Sequence, residues 1–98
     1  METVNAKTAP ALENPHRVQV SKLYDTENAQ VMHITLKPGE SLKRHATPVD
    51  VFFYVLEGKG IVEIGDEKKE VEQDTLINSP AKIPHCWYNE SDDTLRVL

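Results

Sequence analysis

What most limits the fold of this chain is the absence of a helical period. Nowhere do apolar residues recur every three or four positions over a capped segment. Short runs rich in β-branched and aromatic residues alternate with turn residues instead. Residues 17–23 alternate polar and apolar side chains, 25–28 read as a turn, and 30–36 form the next run before the breaker Pro38-Gly39. Residues 51–56 are continuously apolar at strand length. Residues 57–60 hold two glycines, 61–64 make a strand, and 69–73 return as its hairpin partner with Val71 inward. Residues 75–77, 85–88 and 94–98 complete a set of about eight strands. Such a chain must close into a barrel or pack two sheets, because one open sheet leaves an apolar face wet and its edges unpaired. Residues 1–15, with Pro10, Pro15 and little periodicity, read as a flexible arm. Residues 16–98 read as one domain.

Composition narrows the classes of function. At 98 residues the chain holds a single core at most. Eleven Lys and Arg against sixteen Asp and Glu leave a formal charge of −5. That argues against nucleic acid, whose nonspecific binding needs clustered cations. No apolar run approaches the roughly 20 residues that span a bilayer, and the polar N-terminus has no apolar signal core. Cys86 is the sole cysteine, so no intrachain disulfide forms and a reducing, cytoplasmic setting is expected.

Two stretches carry a recognisable spacing. The first reads Gly39, five residues, His45, one residue, Thr47, three residues, Val51, six residues, Gly58. The second reads Asp74, five residues, Pro80, one residue, Lys82, two residues, His85, three residues, Asn89. Together these resemble the two signatures of the cupin family and cover about half the chain. The resemblance implies a double-stranded β-helix, a jelly-roll barrel with an internal pocket. Family members that hold a metal use two histidines and a glutamate from the first signature and a histidine from the second. Here His45 and His85 keep two of those positions, while Thr47 and Val51 stand in the other two. Asp74 and Lys82 replace the two glycines of the second signature, a change of turn geometry rather than of chemistry.

Strand alternation places His85, Trp87 and Asn89 on one face and Cys86 and Tyr88 on the other. With His45 inward, Thr47, Val51, Phe53, Val55 and Trp87 become candidate pocket residues around the two imidazoles. Two histidines make a weak metal site where three or four ligands are usual. A third would come from Asp50, His33 or Cys86. Each also has a structural reading: Asp50 points outward by parity, His33 is a satisfied barrel residue, and Cys86 is structural. His16 is read as exposed beside the arm. The expectation is a small cupin barrel binding a small molecule, with a degraded metal site and no assigned activity. The alternative is a metal-dependent oxygenase or isomerase acting on a small organic substrate, so enzyme status stays open. The cofactor is one divalent metal (iron, zinc, copper, nickel or manganese) or none. The expected partners are a small-molecule ligand and a second copy, joined through residues 51–56 and the arm.

Overall fold

The computed structural model describes residues 1–98 and contains no helix. Nine strands follow in order: β1 Gln19–Asp25, β2 Gln30–Leu36, β3 Ser41–His45, β4 Val51–Glu57, β5 Lys59–Ile64, β6 Glu67–Glu72, β7 Leu76–Ser79, β8 His85–Tyr88 and β9 Leu95–Val97. They form two antiparallel sheets, β1-β2-β9-β4-β7 and β3-β8-β5-β6, packed as a double-stranded β-helix. Leu36, Val55, Leu95 and Val97 from the first sheet meet Leu42, Val62 and Trp87 from the second in a core with no exposed member. Val71 is buried on β6 while its neighbours Glu67, Lys68, Lys69, Glu70 and Glu72 are exposed. Those charges guard the free edge of that sheet against pairing with another chain.

β3 is the element that sequence pattern misses. Its only large apolar residue is Leu42, and Lys43-Arg44 gives no alternation. It forms because β8 offers a partner: Leu42 pairs with Trp87 and His45 with His85, three residues on β3 spanning two on β8. The extra residue is a bulge, which lets Leu42 and His45 both point inward although they are an odd number apart.

The segment ahead of β1 makes ordered contacts. Leu12 N–H donates to Val20 O at 2.7 Å, and Ser21 Oγ donates to Ala9 O at 3.2 Å. Asn14 Nδ2 donates to Leu12 O and Val18 O, holding the approach to β1.

The signature positions explain themselves locally. Gly58 has φ +80°, and a Cβ there would collide with the Thr94 carbonyl oxygen. Asp74 and Lys82 hold a left-handed backbone, with φ of 66° and 69°. Non-glycine residues in that region carry about 1–2 kcal/mol of strain each.

Candidate two-histidine site

His45 ends β3, His85 begins β8, Ser79 ends β7 and Val51 begins β4, so strand termini from both sheets converge at one end of the barrel. His85 is 2% exposed. Its Nδ1 lies 2.9 Å from Ser79 Oγ and its Nε2 lies 3.3 Å from His45 Nε2. His45 Nδ1 lies 2.9 Å from Lys43 O, and a carbonyl only accepts, so that nitrogen carries a proton. His45 Nε2 is then the acceptor in the neutral ring. One chain of donors follows: Ser79 Oγ–H to His85 Nδ1, His85 Nε2–H to His45 Nε2, His45 Nδ1–H to Lys43 O. Burial, and after it the neighbouring His45, pushes the His85 pKa down to about 4. His85 is therefore neutral at physiological pH.

Phe53 stands edge-on to the His85 ring at 5.1 Å and to the Trp87 ring at 5.5 Å. Phe53, Val55 and Trp87 belong to the packed core, and Val51 packs half-buried against it. The Thr47 hydroxyl donates to Val49 O at 2.9 Å, closing its own turn. Trp87 Nε1 is buried without a hydrogen-bond partner. A cleft of about 750 Å³ opens beside the pair, between the β5–β6 hairpin and β7. Val62, Ile64, Val71, Ile77 and Ile83 line it, with Asp66, Glu67 and Lys69 also on its wall. None of the expected pocket residues is among its lining. It adjoins the pair because Ile64 is the register partner of His85 and Asn78 and Pro80 flank Ser79.

The three candidates for a further metal ligand go elsewhere. Asp50 Oδ1 accepts from Ala81 N–H at 2.8 Å. His33 faces out of the other sheet and accepts from Arg96 Nε at 3.1 Å. Cys86 is buried on the face opposite His85, its thiol donating to Tyr88 Oη at 3.4 Å. The donor set for a resident metal is thus two imidazoles. No group of three His, Cys, Asp or Glu side chains is placed to hold an ion, so the site offers fewer than the three or four protein ligands usual for a resident metal.

Sequence pattern places His16 in the open; the structure half-buries it against the site. Its ring lies 5.1 Å from the His45 ring, and its Nδ1 accepts Lys43 N–H at 2.9 Å. The contact spans 27 residues of chain, and no local pattern announces an approach over that distance.

Comparisons with known proteins place the chain. The family model described as a cupin domain matches residues 32–98. The chain belongs to the cupin family. Among solved structures, TT1209 from Thermus thermophilus superposes with a TM-score of 0.85 at 28% identity, over 100% of this chain and 93% of that one. A predicted oxalate decarboxylase from Thermotoga maritima gives 0.85 at 17% identity, over 99% and 94%. KdgF from Halomonas gives 0.81 at 19% identity, over 97% and 86%. The last two likenesses are of fold. An uncharacterized protein of Methanocaldococcus jannaschii is 35% identical over 57 residues, 58% of this chain. The match spans 45% of that relative, somewhat less than half its length.

Proposed function

We propose that this cupin barrel binds a small molecule at the end where His45 and His85 meet, with no activity assigned. The observation that carries the reading is the buried imidazole pair itself, held by Ser79 and the Lys43 carbonyl. One support stands beside it. The adjoining cleft lies within the 300–1,000 Å³ or so usual for small-ligand sites. Barrels of this fold include a predicted oxalate decarboxylase, but one fold hosts many activities. The test is a thermal-shift screen of small organic molecules. A true ligand raises the melting temperature of the wild type by mass action and leaves His45→Ala and His85→Ala unmoved. Hits that stabilise all three proteins equally contradict the reading.

One observation favours the second reading, a metal-dependent oxygenase or isomerase. Two nitrogens on a tetrahedral ion at about 2.05 Å stand about 3.3 Å apart, and the two Nε2 atoms are separated by 3.3 Å. Elemental analysis decides it. Near-stoichiometric metal, lost in both histidine variants, supports it; less than about a tenth of an equivalent after reconstitution rejects it.

A homodimer belongs to the same proposal. Phe52 and Leu76 stand 61% and 57% exposed on the outer face of the first sheet, with Val49 nearby in sequence at 62%. Light scattering showing only an 11.1 kDa species at high concentration contradicts it. A reducing, cytoplasmic setting fits the single free thiol of Cys86.

A further inference from the structure

We infer that the two-histidine end of the barrel is a site for the carboxylate of a small organic acid, with His16 supplying a hydrogen bond to it. The inference rests on the small-molecule reading above and names the class of ligand. His16 lies outside the residues that match the family model.

Lys43 N–H donates to His16 Nδ1 at 2.9 Å, so the neutral ring carries its proton on Nε2. In this setting His16 is a donor and not a metal ligand, because a ligating nitrogen must offer a lone pair. Lys43 fixes both rings at once: its N–H takes His16 Nδ1 and its C=O takes His45 Nδ1. The bulge in β3 that turns His45 inward thereby also orients His16.

Thr47 and Val51 stand in the two slots of the first signature where metal-holding members place a histidine and an acid. Asp50, the nearest acid in sequence, spends a carboxylate oxygen on Ala81 N–H. The groups acting electrostatically on His16 are His45 and Lys43, and on His85 it is His45. No carboxylate is hydrogen-bonded to any of the three rings. Arg44, the neighbouring cation, is committed to Glu63 and Gly65 O. With the ring protons of the pair already donated within the protein, His16 Nε2–H is the ring donor of the cluster left without an acceptor. A ligand carboxylate supplies that acceptor. A charge-assisted hydrogen bond from Nε2–H is roughly twice as strong as a neutral one.

Val51 in the acid slot is the register partner of Ser79, which holds His85. An apolar side chain therefore stands beside the pair. An acid with an apolar body matches that side chain and the donor together.

The experiment records imidazole nitrogen and proton resonances of the intact protein while benzoate is added, and separately benzamide, which has the same shape without the charge. Benzoate is expected to shift His16, His45 and His85, with benzamide at least about tenfold weaker. His16→Ala should weaken benzoate by about tenfold. His16→Gln should restore most of that, because an amide oxygen can accept Lys43 N–H while its NH₂ donates to the ligand. Equal binding of benzoate and benzamide at His45 and His85 overturns the carboxylate inference and leaves the small-molecule reading standing. Benzoate binding untouched by either His16 variant overturns the role of His16. Neither probe moving any of the three histidines overturns the carboxylate inference, and the ligand screen then judges the site by itself.

Discussion

His33 and His85 are buried to the same degree, each 2% exposed, one on each sheet. Their surroundings differ in kind. His33 points away from the core its neighbour Ile34 enters, and takes a hydrogen bond from Arg96, which also reaches Glu57. That chain ties β2, β9 and β4 together through a charged group. His85 points into the barrel and meets Ser79 and His45, neither of them part of an ion pair. Equal burial therefore marks a structural clasp in one place and a site in the other. The partners tell them apart: a histidine wired to an ion pair is holding strands, and one facing a second imidazole is available to a ligand.

Substitution gives the largest test of that contrast. His33→Ala leaves Arg96 Nε–H without its acceptor and opens a void, at a cost of about 2–3 kcal/mol. For a domain of this size the melting temperature should fall by about 10–20 °C, with ligand response kept. His85→Ala leaves behind Ser79, whose hydroxyl can turn to another partner. Its stability loss should be smaller, about 1–2 kcal/mol, while ligand response disappears. Thermal melts with and without ligand read both. A His85→Ala protein that still binds, or a His33→Ala protein that melts normally, breaks the distinction.

Acid gives a second, smaller test. Burial first, then Arg96, holds the His33 pKa below its ordinary value. Burial first, then His45, holds His85 down at about 4. The unfolded chain protonates both near 6.5. Between about pH 6.5 and 4 the unfolded state thus binds more protons, so stability is full above that window and falls as pH drops through it. Urea titrations at pH 7 and pH 4.5 should show the loss. His85→Gln should flatten part of the slope, and His33→Gln another part, since neither amide titrates. A wild-type slope retained in the double variant would place the acid sensitivity elsewhere.

How far the sequence reaches is visible in these same residues. Alternation along β8 correctly separates His85, Trp87 and Asn89 from Cys86 and Tyr88, because a strand's period of two survives any tertiary context. Strands β2 and β8 match their expected bounds, and the paired signature spacing leads to the cupin fold. What stays hidden is whatever depends on a partner far along the chain. β3 has no apolar alternation of its own, and its bulge is defined only against β8. His16 reaches the site through a backbone contact with Lys43. Phe53, Val55 and Trp87 are inward as expected, yet inward here means packed core. Parity gives the face a residue takes but not whether space is left in front of it.

The smallest test concerns the loop that leads into β8. Lys82 sits at φ 69°, and its N–H donates to Thr47 O at 2.8 Å, linking the two signature stretches beside the histidine pair. The exposed side chain makes no ion pair, so Lys82→Gly removes backbone strain of about 1–2 kcal/mol while keeping the backbone hydrogen bond. Glycine's greater freedom in the unfolded chain takes back about 0.5–1 kcal/mol. The net expectation is a gain of about 0.5–1 kcal/mol, or about 2–8 °C in melting temperature. Asp74→Gly relieves the same strain but loses the hydrogen bond from Tyr54 Oη to Asp74 Oδ1, so its net change should lie near zero. Neither change touches the Arg96–His33 clasp, and both should leave its share of the acid response intact. If Lys82→Gly instead destabilises the protein, the left-handed turn is carried by side-chain contacts of Lys82, and the strain ascribed to the His85 end of the barrel is not there.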